Sequence, residues 1–147
     1  MFSFHGLPLK QIEAAHKGQS CELLACSDAA VKSNYYCYTR ACYQTAAKIA
    51  GLAGLNQEDF SVAFQSRFGK RWIGPQTEDV ILELANEGKS VLIMAPSFLT
   101  DCLETSWEIG ISFCELFAET KGGKFDWIPA LNDDDDWVRL IHDRSVI

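Results

Sequence analysis

Four groups of residues in this sequence have the types and spacing to do chemistry. His5 closes a short strand-like run, Phe2-Ser3-Phe4. A histidine at a strand end can face a cleft and act as a metal ligand or proton acceptor; bonded to a nearby carbonyl it is merely structural. Glu104 and Glu108 stand four apart in a helical pattern, with Asp101 before them and Glu115 and Glu119 beyond. Like charges at that spacing destabilise a helix by about 0.2–0.5 kcal/mol, and a divalent cation or a held proton would offset the cost. A capping box from Asp101 to Glu104 and a solvated acidic face explain the same residues without a ligand. Cys21, Cys26, Cys37 and Cys42 follow a C-x4-C-x10-C-x4-C spacing in a polar segment. Four thiolates there suit a [2Fe–2S] cluster, and zinc less well because its paired ligands usually stand closer; reduced structural thiols are the alternative. Cys37 and Cys42 fall on different sides of a continuous helix, so one of them must lie at a helix end. Finally, Gln65-Ser66-Arg67-Phe68-Gly69 and Trp72 mix polar groups, a cation and aromatics. That mixture suits a flat ligand bearing carboxylates, with Trp72 stacking and Ser66 and Arg67 meeting the acid groups. A Trp72 that only staples its loop to the next helix is the structural reading.

The elements that must position these residues alternate in type. Strand patterns fall at Phe2–Phe4, 61–64, 91–95 and 125–128. Helical patterns fall at 34–51, from Thr77 to about Asn86, at 103–120 and at 137–146. Val91-Leu92-Ile93-Met94-Ala95 is continuously apolar, which predicts a strand buried on both faces. Cys102 and Cys114 fall within a helical pattern and read as small buried hydrophobes. Asp133–Asp136 reads as a solvated helix start. Strand and helix alternating four times predict an α/β fold, a four-stranded parallel sheet with flanking helices. Ligands of such sheets sit outside the carboxyl ends of the strands, which selects His5-Gly6, Gln65-Ser66-Arg67, 96–101 and Leu131-Asn132.

Composition narrows the partners. The 147 residues carry a formal charge of −7, with nine basic and nine acidic groups in 1–100 against four and eleven in 101–147. A balance this acidic argues against a nucleic-acid binder. Neither a G-x-G-x-x-G nor a Walker-type glycine loop is present, so nucleotide cofactors have no support. The first residues lack a signal-peptide pattern and no apolar run has membrane-spanning length, so a cytoplasmic protein with reduced thiols is expected, associated with a membrane at most peripherally.

The strings Phe2-Ser3-Phe4-His5-Gly6-Leu7-Pro8, Phe64-Gln65-Ser66-Arg67-Phe68-Gly69 with Trp72, Pro75 and Thr77, Pro96-Ser97-Phe98 leading into Asp101-Cys102-Leu103-Glu104-Thr105, and 125–132 occur in one order. Together they resemble the second, C-terminal domain of bacterial-type ferrochelatases across essentially the whole chain. The resemblance implies a Rossmann-like, chelatase-like half of a haem-synthesis lyase that inserts Fe²⁺ into a porphyrin, protoporphyrin IX or coproporphyrin III, in a cleft between two such domains. It implies that His5 binds metal or accepts a pyrrole proton and that Glu104 faces it for proton transfer or metal handling. Glu108 would continue an acidic metal path; Ser112 occupies the place of a third acid that Glu115 partly replaces. Ser66 and Trp72 would lie near the macrocycle edge. Some members hold a [2Fe–2S] centre, which here implies Cys21, Cys26, Cys37 and Cys42 as ligands, with a stabilising or sensing role. The expectation is one domain over 1–147, with a cysteine-bearing insert at 18–43, acting with an N-terminal domain absent from this sequence or with a homodimer partner. A non-catalytic Fe–S or porphyrin-binding module and a one-domain homodimeric chelatase are the competing readings.

Overall fold

A computed structural model describes residues 1–15 and 37–146. Four strands, β1 (Phe2–His5), β2 (Val62–Gln65), β3 (Val91–Met94) and β4 (Phe125–Ile128), form one parallel sheet in the order β2-β1-β3-β4. The chain therefore runs outward from β1 first to one side and then to the other. Crevices for ligands open at such a reversal, above the carboxyl ends of β1 and β3. His5 is the last residue of β1, and the register sets it beside Gln65, the last residue of β2.

Side chains alternate across the sheet and divide the core in two. Phe2 and Phe4 of β1 and Val62 and Phe64 of β2 pack with Cys42, Ala46 and Ala50 of α2 (Tyr38–Leu52). On the other face, Val91 and Ile93 of β3 meet Ile81 and Ala85 of α3 (Thr77–Asn86), and Ile109, Phe113 and Phe117. Ser3 and Gln65 point to this second face and are fully buried polar residues, as is Thr77 at the start of α3.

Three expectations need correction. Residues 104–113 form a π-helix (Glu104–Phe113), which passes into α4 (Cys114–Ala118); an ordinary α-helix was expected. The buried residues Thr105, Ile109, Phe113 and Phe117 recur every fourth position. A repeat of four without any step of three exceeds the α-helical 3.6 and suits a wider i→i+5 turn. Gly110 allows close packing, since a Cβ there would lie 3.3 Å from the Trp127 ring. Second, β3 is not buried on both faces: Leu92 is 52% exposed, since among the described residues no helix covers the β3–β4 half on the α2 side. Third, the first helical pattern was expected from residue 34, yet Leu7-Pro8 already leads into a short helix, α1 (Leu9–Ala15).

The last helix, α5 (Asp135–Ser145), buries none of its residues. Its start is solvated as expected, with the Asp134 carboxylate accepting from the backbone N–H groups of Asp136 and Trp137. Among the described residues, no helix is long and apolar enough to cross a membrane.

The open half of the sheet makes a direct prediction. Phe64→Ala, at a fully buried position, is expected to lower unfolding free energy by about 3–5 kcal/mol. Leu92→Ala is expected to stay within about 0.5 kcal/mol in this chain. Urea denaturation of both variants reads the difference.

Candidate active site

The site is assembled by strand ends and by the π-helix. At the end of β1, the His5 Nδ1 lies 2.6 Å from the Gly6 carbonyl oxygen. A carbonyl only accepts, so Nδ1 donates in this contact, the carbonyl bond that the structural reading of His5 foresees, and Nε2 is the ring nitrogen left for chemistry. The His5 carbonyl is tied to the Tyr38 hydroxyl at 2.7 Å, and the ring stands between Trp72 and Phe98 at centroid distances of 6.4 and 6.2 Å. Gly6 is required by close packing: a Cβ would sit 2.9 Å from the Gln65 carbonyl oxygen and 3.3 Å from the Trp72 ring.

Glu104 opens the π-helix. Its carboxyl is held below the ordinary glutamate range, first by a hydrogen bond from the Cys102 thiol, then by its own backbone N–H, with a contribution from His5. It is therefore a carboxylate at neutral pH, near enough to His5 to feel it. The turn before it is latched differently from a capping box. Asp101 accepts from the Thr105 hydroxyl at 3.1 Å and from the Asn132 amide at 2.8 Å, while the Cys102 N–H donates to the Thr105 hydroxyl oxygen at 2.9 Å. Cys102 and Cys114 are partly exposed rather than buried. The role of Cys102 was missed in the sequence because its only signal is a thiol two residues before the glutamate.

One turn on, Glu108 is fully engaged. Oε1 accepts from the Ser66 N–H at 2.8 Å, and Oε2 from the Ser66 hydroxyl at 2.6 Å and the Gln65 amide at 3.0 Å. Ser66 reaches both oxygens because it adopts a left-handed backbone, φ 61°. Glu104, Glu108, Ser112, Glu115 and Glu119, joined by Glu78 across the gap, line a cavity of about 490 Å³. Arg67 and Phe68 are exposed beside it in sequence, and Trp72 is half-buried against Gly6. The structure thus brings Glu104, Glu108 and Ser66 to one cavity and sets Trp72 beside His5.

Of the four cysteines considered for a cluster, Cys21 and Cys26 lie outside the described residues. Cys37 stands at the N-cap of α2, where its Sγ accepts from the Arg40 N–H at 3.5 Å, and Cys42 lies one turn inside, in the apolar core. Burial pushes the Cys42 thiol up to about 12. As it stands Cys42 is a neutral thiol packed in the core; ligation of iron would require it as a thiolate, its proton displaced by the metal. Among the described residues, no three or more His, Cys, Asp or Glu side chains converge as a metal-holding group.

The ferrochelatase family profile matches residues 1–146. This chain belongs to the ferrochelatase family. It is 40% identical to the ferrochelatase of Pseudomonas fluorescens biotype C over 142 residues, 94% of this chain and 42% of that protein. It is 39% identical to the ferrochelatases of Pseudomonas putida strain W619 and Legionella pneumophila strain Corby, covering 96% and 97% of this chain and 43% of each relative. The chain therefore spans less than half the length of these ferrochelatases.

The lowered carboxyl of Glu104 gives a test of the site's electrostatics. A depressed folded-state value contributes stability that is present above the ordinary glutamate value and is lost as pH falls through the lowered one. Carbon-detected NMR of the side-chain carboxyl is expected to give a Glu104 midpoint below about 4.3. Cys102→Ala is expected to move that midpoint upward.

Proposed function

We propose that this chain is the His5- and Glu104-bearing half of a ferrochelatase, and that with a first domain it inserts Fe²⁺ into a porphyrin. Metallation must remove two pyrrole protons and replace the water around the incoming ion. A base and a replacement ligand, placed where the macrocycle is held, perform both tasks. The observation that carries the reading is His5 at the carboxyl end of β1, its Nδ1 tied to the Gly6 carbonyl, with the lowered carboxyl of Glu104 close enough to feel it. His5 accepts a pyrrole proton or ligates the ferrous substrate, and Glu104 meets the ion or takes a proton. Trp72 offers an aromatic edge for the macrocycle, and exposed Arg67 a cation for its carboxylates. The acid-lined cavity beside Glu104 attracts a divalent cation by its summed charge. No step of this mechanism passes through a [2Fe–2S] centre.

The partner is a domain that covers the open sheet. Leu92 and Ile128 on the uncovered face and Val138, Leu140 and Ile141 on α5 are all exposed apolar residues. A cavity of about 620 Å³ lies along the same side, lined by Met1, Phe60, Leu92 and Ile128 among others. Contiguous apolar surface of this kind marks an interaction site. The remaining length of the relatives gives the occupant: the ferrochelatase half that precedes the matched residues.

Mixing this chain with a separately produced first half of the Pseudomonas fluorescens ferrochelatase tests the reading. Porphyrin fluorescence is expected to fall as Fe²⁺ is inserted only when both halves are present. His5→Ala is expected to lower the rate by about 10²–10⁴-fold, the range for loss of a positioned proton acceptor. Undiminished insertion by His5→Ala would overturn the assignment. Porphyrin binding without insertion under all conditions would favour a binding module instead.

A further inference from the structure

We propose that Glu108 is a positioning residue: it anchors the π-helix to the end of β2 through Ser66 and Gln65, and thereby fixes the turn that carries Glu104. This inference rests on the reading of His5 and Glu104 as the reacting pair, and it divides the acidic line into two jobs. A carboxylate offers about four acceptor sites. Three of those on Glu108 are filled at 2.6 to 3.0 Å, by the Ser66 N–H, the Ser66 hydroxyl and the Gln65 amide. Only one acceptor position, on Oε1, is left for a cation, and a bidentate cation would have to displace the Ser66 and Gln65 donors.

The anchor is continuous with the rest of the fold. Gln65 is 2% exposed. Its second amide hydrogen goes to the Glu104 carbonyl at 2.9 Å, and its Oε1 accepts from the Ser3 hydroxyl at 2.6 Å. With that hydrogen used, Ser3 must accept in its 2.8 Å contact with the Thr77 hydroxyl. One amide orientation satisfies every member, so the chain of bonds from α3 through β1 and β2 to the π-helix has a single sense. The left-handed φ of Ser66 completes it, because only that turn aims N–H and hydroxyl at one carboxylate. A non-glycine residue persists there when its surroundings over-determine it. The Leu103 N-cap of the π-helix gives no side-chain bond. Glu108 and the Asp101–Thr105 latch therefore fix the turn that carries Glu104.

The two roles predict opposite behaviour when the donors are removed. Ser66→Gly keeps the positive φ and the N–H but deletes the hydroxyl; Glu108→Gln keeps the shape but removes the charge. If Glu108 anchors, each variant is expected to speed amide hydrogen exchange across residues 104–113 by about ten-fold. The α2 amides are expected to stay unchanged, and the double variant to be little worse than the worse single, as for residues that act through one contact. This arm needs no metal, so it stands apart from the reading of His5 and Glu104. A Co²⁺ titration, followed by its visible absorption, supplies the second arm: His5→Ala abolishes binding if that reading holds. Ser66→Gly and Glu108→Gln weaken Co²⁺ binding to similar extents if Glu108 positions. The proposal is overturned if exchange over 104–113 is unchanged in both variants. It is equally overturned if Ser66→Gly leaves or strengthens Co²⁺ binding while Glu108→Gln removes it, the behaviour of a direct ligand.

Discussion

The side-chain amide of Gln65 uses each of its bonding directions at the middle of the molecule, towards Ser3, towards the Glu104 carbonyl and towards Glu108. A buried amide left unpaired would cost about 1–3 kcal/mol per group, so these partners are obligatory once Gln65 is enclosed. Everything near the site follows from meeting them. β1 must lie in register with β2 so that Ser3 reaches Oε1, and that register puts His5 beside Gln65. The π-helix must present a carbonyl and a carboxylate one turn apart, which sets Glu104 and Glu108 on the side facing the strand ends. Gly6 must lack a Cβ so that the β1 end can approach the Gln65 carbonyl.

The π-helix is where pattern reading came close and stopped short. From 103 to 117 the residues fall into columns of strict period four. Leu103, Trp107 and Ile111 are exposed, Glu104, Glu108 and Ser112 line the cavity, and Thr105, Ile109, Phe113 and Phe117 are buried. An α-helix with one buried face normally mixes steps of three and four. The absence of any three-residue step was the legible sign of a wider turn. Reading these residues as an ordinary helix still put Glu104 and Glu108 on one face, which is correct, but hid the reason. Their like charges need no cation to offset them, because Glu108 is already surrounded by donors.

Strand positions, parallel sense and the strand-end location of His5 were all readable, because they follow from apolar alternation and from short-range turn chemistry. What was not readable depends on contacts far apart in sequence. The pairing of Asp101 with Asn132 across 31 positions and the bond from Ser66 to Glu108 across 42 leave no periodic trace. Leu92 shows the same limit from the other side. Its neighbours Val91 and Ile93 are buried by α3 and the π-helix, and an apolar residue between them reads as buried too. Only the placement of α2 over the β1–β2 half reveals that it is left exposed among the described residues.

The acidic surplus of the last third can now be divided by function rather than by position. Asp134 accepts from the first backbone N–H groups of α5, and helix starts favour negative charge there. Asp101 is held below the ordinary aspartate range by the Asn132 amide and the Thr105 hydroxyl, and so ties β4's following loop to the turn before the π-helix. Glu108 accepts from three donors, the Ser66 N–H, the Ser66 hydroxyl and the Gln65 amide. Glu104 differs from all three: its strongest partner is a thiol, a weak donor, and no cationic side chain bridges it among the described ion pairs. A carboxylate that is kept ionised yet left with acceptor capacity is the one suited to meet a cation or a proton from outside. Thus Asp101, Asp134 and Glu108 are taken up by backbone and side-chain donors, and of these four acids Glu104 is the one whose leading partner is a thiol.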